Sequence, residues 1–457
     1  MKEETTFPRN DRREIFGWML YDWANSAFYT TVIGVLLGPY LVSLAQTAVG
    51  EDGTIIDFFF FRITPKGFQA FCLAISVISL VIFLPILGAI ADYTHLKKKL
   101  LAIFCYLGVI SSSLLFFATG DSYIFAGILL IISNMTFAAA NVFYNAFLID
   151  ITTEDKRDKV SSYGYAAGYI GGVLMLVLNI LLIGNAEKIG ISQGLAVRIS
   201  FLGASLWWGI FGLISFSMIK SRNPAKSIPQ NTNLVTVGFK ELWQTLKELV
   251  RLKYTARFLI SYLFYNDGIQ TVILQSSVFI SYELFTSKGL PENNSILLAI
   301  FIVAQFSAFV GALAFEKIAK FIGAKKTILL SLMIWCGIVF YAYFVFSEMY
   351  QVWIMGAFIG LVLGSTQALS RSLYSQMIPT GRESSFFGLY EISEKGTSWM
   401  GQLLFAIVVG FTNSYRQAIL ALIVFFVVGS LILLFTDTTK AIHEAGNLTP
   451  EEAATES

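Results

Sequence analysis

The residues most able to do chemistry begin with Asp22, which lies inside an apolar run from about Ile15 to Val49. A membrane-spanning helix needs about 20 apolar residues, so this run predicts the first span. A carboxylate within a span costs about 2.5–3.5 kcal/mol on insertion scales. Asn25 and Ser26 follow Asp22 by three and four positions and share its helix face. That face is expected to meet water or protein. Alternatively, Asp22 only joins helix 1 to a neighbour or lies near the headgroups.

Polar side chains recur at helical spacing in later spans. Asn141 and Asn145 are four residues apart in span 4, as are Gln367 and Arg371 in span 10. Residues four apart share a helix face, so both pairs are expected to face inward. The residues predicted to bind a substrate or a proton are Asp22, Asn25, Asn141, Asn145, Asp267, Gln270, Gln367, Arg371, Glu391, Glu394 and Lys395.

Charged groups inside a membrane must pair or face water. The predicted spans hold two cations, Arg371 and Lys395, and more carboxylates than these can pair: Asp22, Asp267, Glu391 and Glu394. Burial favours the neutral form of a carboxyl group, so an unpaired one is a candidate proton carrier. The alternative is a static polar network that holds the helices together. The guanidinium of Arg371 suits a substrate carboxylate or phosphate, unless it serves as a structural partner of Glu391.

Composition excludes several classes of function. The chain is 56% hydrophobic and 14% charged, whereas soluble proteins are about 25% charged, so it is predicted to be a multi-pass membrane protein. The net charge of +2 gives no reason to expect a nucleic-acid partner. Two histidines in predicted loops and three scattered cysteines leave neither a metal site nor a catalytic triad. No nucleotide-binding glycine-rich loop is found. We therefore expect no enzyme activity, no cofactor and no metal, and a monomeric chain.

Twelve apolar runs predict twelve spans. Most of the 32 Lys and Arg residues lie in the loops on the N-terminal side, which places both termini in the cytoplasm by the positive-inside rule. The predicted limits are 15–48, 67–91, 98–119, 122–151, 159–184, 197–219, 254–285, 293–319, 325–347, 349–378, 384–411 and 415–436. We expect an N-terminal six-helix bundle (1–220), a cytoplasmic linker with an amphipathic helix (221–253), a C-terminal six-helix bundle (254–436) and a disordered cytoplasmic tail (437–457).

The two predicted bundles repeat each other weakly. Asp22-x-x-Asn25-Ser26 in span 1 has a counterpart in Asp267-x-x-Gln270-Thr271 in span 7. Gly88-Ala89-Ile90-Ala91 in span 2 is answered by Gly311-Ala312-Leu313-Ala314 in span 8. Similarity in the same order, six spans apart, is typical of parallel halves related by an axis along the membrane normal.

The segment between spans 2 and 3 resembles the cytoplasmic signature of the major facilitator superfamily. Its matching residues are Gly88, Asp92, Lys97, Lys98 and Lys99. The resemblance implies a gating loop, in which the acidic and basic residues hold the inner helix ends together in the outward-open state. Residues 93–96 depart from the usual pattern of this signature. The corresponding segment of the second half, which follows Gly311, departs from it as well.

The octapeptide Tyr21–Phe28 resembles the helix-1 hallmark of the autophagy-related vacuole-effluxer-like branch, also called the unknown major facilitator family. Asp267-Gly268, the run Gln367–Ser372 and Phe386–Tyr390 fit the same branch. The resemblance implies an all-α membrane protein of twelve transmembrane helices in two pseudo-symmetric bundles. Fungal relatives are associated with amino-acid efflux from the vacuole. The expected location is the cell membrane, or a vacuolar or other internal membrane in a eukaryote.

The expected function is secondary transport of a small polar solute, such as an amino acid, by alternating access about a cavity lined by spans 1, 4, 7 and 10. Protons are the expected coupling ion, and the direction is either uptake or efflux. The alternatives are an exporter of lipophilic compounds and, from another class, a channel or scaffold without carrier activity.

Overall fold

A computed structural model describes residues 8–50, 53–58, 61–92, 96–222, 234–289, 294–395 and 399–456. Each of the twelve predicted spans contains a helix, and two short strands form a hairpin between the first two spans. The first six spans are α1 (Arg12–Phe28) with a π-helical stretch (Tyr29–Leu36) and α2 (Leu37–Val49), α3 (Pro65–Asp92), α4 (Lys97–Leu114), α5 (Tyr123–Ile151), α6 (Arg157–Gly184) and α7 (Gln193–Met218). The hairpin strands are β1 (Ile56–Phe58) and β2 (Phe61–Ile63).

The linker helix is α8 (Leu234–Arg251), and the next six spans follow it. They are α9 (Lys253–Leu284), α10 (Asn294–Ile322), α11 (Ala324–Phe344), α12 (Met349–Gln376), α13 (Glu383–Lys395) with α14 (Trp399–Thr412), and α15 (Tyr415–Ala421) with α16 (Ile423–Leu434). The chain ends in α17 (Thr438–Glu444) and α18 (Pro450–Glu456). Short 3₁₀ turns cover Leu115–Phe117, Glu154–Lys156, Glu187–Ile189 and Thr286–Lys288.

The described helices are long and apolar enough for a multi-pass membrane protein. Nine of them can cross a membrane by length and composition, and α3, bent by 43° between Gly67–Val81 and Ile86–Asp92, makes a tenth. Pro85 lies at the bend, where it cannot supply a backbone N–H. The other two predicted spans, α9 and α13–α14, carry Asp267, Glu391 and Glu394, and these charged residues lower their hydropathy.

The helices of the six spans before α8 pack mainly with one another, and so do those of the spans after it. The principal pairs are α1 with α6 and α7, α4 with α5, α9 with α16, and α10 with α12. Contacts between the two sets concentrate on α3 with α13, α5 with α13, and α6 with α10 and α12. The side chains at these crossings therefore decide how the two halves are held together.

The linker helix α8 packs on α3 and α13. Its buried Thr245 accepts a hydrogen bond from Arg382 Nη1 at 3.3 Å, and its Glu248 forms an ion pair with the same nitrogen at 2.9 Å. The apolar side chains Trp243, Leu246 and Val250 lie three and four residues apart and are exposed. This is the arrangement expected of a helix that lies on a bilayer surface.

The C-terminal tail, predicted to be disordered, is folded from Asp437 to Glu456. Ala441 and Ile442 are buried in α17, and the Asn447 side-chain amide donates to the backbone carbonyls at the end of α12, those of Gln376 and Ile378, at 2.8 Å each. Composition led to the wrong expectation because two apolar residues and one amide are enough to anchor so short a segment.

The last turn of the tail is held by its own polar contacts. The Thr449 backbone N–H and the His443 ring hold the pKa of the exposed Glu452 carboxyl at about 2. The α18 helix lies against the 3₁₀ turn Glu154–Lys156, which belongs to the first half of the chain. The tail thus contacts both halves.

Glycines allow α10 and α12 to approach closely. Replacing such a glycine by alanine is therefore expected to destabilise the folded protein. A Cβ atom added to Gly360 would overlap the backbone carbonyl of Ala304. Gly360→Ala should lower the free energy of unfolding by about 1–3 kcal/mol, because a backbone cannot yield as a flexible side chain can. Thermal denaturation of the purified protein in detergent measures it. The control is Gly337→Ala on α11, where the new methyl meets nothing within 4 Å and the helix propensity gains up to about 1 kcal/mol. Equal behaviour of the two variants would contradict the packing argument.

Candidate substrate site between the two halves

Arg371 of α12 is the centre of a polar cluster that joins the two halves. Its Nη1 lies 3.3 Å from Asp22 Oδ2 of α1 and 3.3 Å from Asn145 Oδ1 of α5. Its Nε donates to the Ser161 hydroxyl at 2.9 Å, and its Nη2 donates to the Ser161 carbonyl at 2.8 Å. Arg371 is 2% exposed and Asp22 7%. Buried charges need such partners, and among the described residues the hydrogen-bond partners of this guanidinium all come from the other half of the chain.

Three aromatic rings enclose this ion pair. The guanidinium carbon of Arg371 lies 4.1 Å from the Tyr165 ring centroid and 4.8 Å from that of Trp18. The Tyr144 ring stacks on Trp18 at 4.5 Å, and its hydroxyl donates to Asp22 Oδ2 at 2.7 Å. Cation–π contacts of this kind gain strength when they are shielded from water. The rings therefore hold both charges in a fixed position.

A glycine on α6 makes room for the cluster. A Cβ atom on Gly164 would lie 2.7 Å from Trp18 Cζ3, 3.0 Å from Asp22 Oδ2 and 3.1 Å from Arg371 Nη2. Any side chain at this position would displace the ion pair. The glycines of α6 thus give close contact between helices, as small residues commonly do in membrane proteins.

The amide groups predicted from the sequence surround the ion pair in two layers. Asn145 donates from Nδ2 to Glu391 Oε1 at 2.9 Å, so that it connects Arg371 with the carboxylate of α13. One turn away, Asn25 Nδ2 donates to Asn141 Oδ1 at 3.1 Å. The Tyr169 hydroxyl donates to Gln367 Oε1 at 2.8 Å, which is a further bond between the halves.

Exposure rises in one direction along these helices. We call the end of the molecule at which α3 ends and α4 begins the Asp92 end. Asn145 and Arg371 are buried, whereas Asn141 and Gln367, each one turn farther from the Asp92 end on the same helix, are half-buried. Glu391 of α13 is buried, and Glu394, which accepts from the Tyr262 hydroxyl at 3.3 Å, is half-buried. The ion pair is therefore the floor of a polar region that becomes accessible away from the Asp92 end.

The Asp92 end itself is closed by contacts between the halves. Asp92 accepts the backbone N–H groups of Ser384 and Ser385 at 2.9 Å each and the Ser385 hydroxyl at 2.6 Å. Lys97 pairs with Asp150 at 3.0 Å and approaches Glu383 at 4.0 Å. A Cβ atom on Gly88 would overlap the Ser384 carbonyl oxygen, so that this crossing of α3 and α13 requires glycine.

The structure brings together only part of the predicted site and gate. Asp267 lies on α9 against α14, where it accepts the Gly401 N–H at 2.7 Å, and it is not a member of the Arg371 cluster. Gln270 is half-buried one turn farther along α9. Lys98 is half-buried and Lys99 exposed, and within the described part of the chain neither bonds to α13. The side chain of Lys395 lies outside the described residues, as do residues 93–95 of the predicted gating loop.

The family follows from comparison with known proteins. A family model described as "Vacuole effluxer Atg22 like" matches residues 10–446. The chain belongs to this vacuole-effluxer family. Among its relatives is the "uncharacterized MFS-type transporter YxiO" of Bacillus subtilis (strain 168), 32% identical over 95% of this chain and 97% of that protein. The "autophagy-related protein 22" of Kluyveromyces lactis is 24% identical over 96% of both chains.

Solved structures show the fold of this family member. It superposes on the proton:xylose symporter XylE bound to 6-bromo-6-deoxy-D-glucose with a TM-score of 0.67, at 13% identity, covering 97% of this chain and 98% of that one. The human organic anion transporter MFSD10 gives a TM-score of 0.66 at 12% identity, covering 93% of this chain and all of the other. The predicted all-α major facilitator fold is confirmed. The protein is a multi-pass membrane transporter of that superfamily.

Several residues of the Arg371 cluster are not predicted from the sequence. Trp18 lies four residues before Asp22 and so shares its helix face, a signal that was available. Tyr144 adjoins Asn145 on α5, but neighbours in the chain do not share a helix face, so the position of Asn145 does not predict a role for Tyr144. Tyr165 and Ser161 on α6 gave no signal, because hydroxyl and aromatic groups are common in packed membrane helices.

Proposed function

We propose that this protein is a secondary transporter of a small solute that carries a carboxylate, an amino acid or a related metabolite, and that it works by alternating access. The observation that supports this most strongly is the buried ion pair between Asp22 of α1 and Arg371 of α12, which links the two halves at the floor of the polar region. A carrier needs a contact of this kind, because its substrate must be able to replace it.

The chemistry of the pair suits an ion exchange. A substrate carboxylate takes the place of Asp22 on Arg371, and the substrate ammonium group takes the place of Arg371 beside Asp22. Neither charge is then left unpaired in the membrane, which would be costly. Asn141, Asn25 and Gln367 lie one turn above the pair and supply hydrogen bonds to the rest of the solute.

Loss of the pair would also free the two halves to move. Arg371 contacts α1, α5 and α6 of the first half through Asp22, Asn145 and Ser161. When its guanidinium turns to a substrate, these three helices lose their common partner on α12. One half can then rock against the other about the central site, as secondary transporters do.

Proton coupling is assigned in this proposal to Asp22, with Glu391 as its neighbour across Asn145. In the step in which neither Arg371 nor the substrate ammonium group lies beside it, Asp22 can bind a proton and stay neutral. Asp22→Asn should therefore abolish proton-driven uptake into proteoliposomes and leave exchange of labelled for unlabelled solute intact. The measurement is uptake with and without a pH gradient, beside counterflow without one.

The matched control is Asp121→Asn, which removes an exposed carboxylate in the turn before α5 and should leave both activities unchanged. An unaltered pH dependence in Asp22→Asn would remove Asp22 from the coupling mechanism. Counterflow also separates a carrier from a channel, since a channel shows no accelerated exchange. A thermal-shift screen with amino acids, peptides and phosphorylated metabolites identifies the solute.

A second candidate, export of lipophilic compounds, is favoured by the aromatic enclosure of Trp18, Tyr144 and Tyr165. Aromatic side chains offer large apolar contact area to such compounds. This alternative predicts that transport tolerates the loss of Arg371, whereas the carboxylate carrier does not. In both candidates we expect the termini on the cytoplasmic side of the cell membrane, or of an internal membrane in a eukaryotic cell, and a monomer as the working unit.

A further inference from the structure

The side chain of Asp267 is an isolated charge within the described part of the membrane helices. It is fully buried, and its Oδ2 accepts the backbone N–H of Gly401, the third residue of α14, at 2.7 Å. Its other oxygen, Oδ1, has no hydrogen-bond partner among the described residues. No cationic side chain of the described region pairs with it either. A bare carboxylate at this depth is expensive.

Further oxygen atoms surround the same place. Thr271, one turn along α9, is fully buried, and its hydroxyl has no hydrogen-bond partner in the described part of the chain. A Cβ atom on Gly401 would overlap Thr271 Oγ1 and lie 3.3 Å from the Asp267 carbonyl oxygen. Carboxylate, hydroxyl and carbonyl oxygens of α9 therefore converge on the first turn of α14.

Asn266 adds a neighbouring oxygen at the other helix of span 11. It is buried, and its Nδ2 donates to the Glu394 carbonyl near the end of α13 at 3.0 Å. Its Oδ1 has no hydrogen-bond partner among the described residues. Asn266 thus bonds to the end of α13, and Asp267 bonds to the start of α14. Each of the two side chains retains one oxygen atom that accepts no hydrogen bond from the described residues.

We propose that Asp267 and Thr271, with the Asp267 carbonyl beside them, bind a monovalent alkali cation, sodium in the first instance. Oxygen-only ligands suit a hard cation, and one carboxylate balances one positive charge. A proton on Oδ1 would neutralise the same carboxylate, and the comparison of sodium with choline below distinguishes the two. A divalent or transition metal is not indicated, since no three His, Cys, Asp or Glu side chains gather within the described residues.

The cation would tie α9 to both helices of span 11. The same α13 carries Glu391, which Asn145 links to Arg371, and Ser384 and Ser385, which close the Asp92 end. Under the transport function proposed above, the cation is therefore a second coupling ion, bound away from the substrate. The binding itself does not depend on that function.

The test is cation binding by the purified full-length protein in detergent, without substrate. Thermal denaturation followed by intrinsic tryptophan fluorescence is recorded while sodium chloride replaces choline chloride at constant ionic strength. We expect a saturable rise of about 3 °C or more, because a ligand that binds only the folded state stabilises it. Thr271→Val and Asp267→Asn should remove the rise. The matched control Ser281→Ala, which deletes another buried, unpartnered hydroxyl on α9, should keep it.

Three outcomes would overturn the proposal: a wild-type protein that responds equally to sodium and choline, a Thr271→Val variant with the full response, or no retention of radioactive sodium by the wild type in equilibrium binding. If Asp267→Asn shows no cooperative thermal transition, equilibrium binding of radioactive sodium tests that variant instead. Asp22→Asn separates this site from the substrate site. It should lose coupled uptake and keep the sodium response, so that a failed transport assay does not count against the cation.

Discussion

Arg371→Lys should reduce the initial rate of solute uptake into proteoliposomes by at least about 100-fold. Lysine keeps the charge, but its single ammonium group cannot reach Asp22, Asn145 and both oxygen atoms of Ser161 from one position, as the guanidinium does. Nor can it form the two parallel bonds that a guanidinium makes with a carboxylate. A loss of about 3 kcal/mol of transition-state interaction corresponds to that factor.

A structural role for Arg371 is separated from a substrate role by a double variant. Removing one partner of a buried ion pair typically costs about 3–5 kcal/mol, because the other charge is left unpaired. Asp22→Asn with Arg371→Gln removes both charges, so it should recover most of the stability that Arg371→Gln alone loses. Transport should not recover, since the carboxylate receptor is still absent.

The matched control is Arg416→Lys. Arg416 pairs with Glu283 within the second half of the chain, at 2.7 Å, so its replacement should leave uptake within about two-fold of the wild type, as expected for a partly exposed pair. Normal uptake by Arg371→Lys would contradict the carboxylate carrier and favour export of lipophilic compounds. Loss of activity in both arginine variants alike would indicate a general defect and would remove the support that Arg371→Lys gives to a carboxylate receptor.

Gly88→Val should abolish transport by preventing closure of the Asp92 end. The new side chain would strike the backbone of Ser384 and come within about 3.0 Å of Ser385 Cα. Backbone atoms cannot move aside as a flexible side chain can, so α3 and α13 must separate. The bonds from Asp92 to Ser384 and Ser385 are then lost as well. The variant should remain folded and populate the state that is open at this end.

Distances between spin labels at Lys99→Cys and Lys440→Cys, in a protein freed of Cys72, Cys105 and Cys336, measure this opening. Both lysines are exposed at the Asp92 end, on opposite halves. We expect the distance distribution to shift to longer values in Gly88→Val. Gly67→Val, at the other end of α3, meets only Ile63 Cγ2 at 4.0 Å and should leave both distance and transport unchanged. An unshifted distribution in Gly88→Val would show that this glycine is not part of the gate.

Two predicted features illustrate what local pattern can and cannot reveal. The helix bounds follow closely from runs of apolar residues, because a bilayer leaves no other way to satisfy the backbone. The repeat of Asp22-x-x-Asn25-Ser26 in Asp267-x-x-Gln270-Thr271 led us to expect two equivalent carboxylates in one site. The structure separates them: Asp22 pairs with Arg371, whereas Asp267 turns to the start of α14.

The sequence by itself determined the class of the protein, the helices and the short set of polar side chains that had to lie away from lipid. It did so because transfer of charge and backbone into hydrocarbon is costly whatever the neighbours are. Only the tertiary structure decided which of those groups meet. The partner of Arg371 lies 349 residues away in the chain, and a choice among Asp22, Asp267 and Glu391 depends on how α1, α5, α6 and α12 cross. Those crossings depend on close helix contacts at glycines such as Gly164 and Gly88. The sequence does not show which helix packs against each of these glycines.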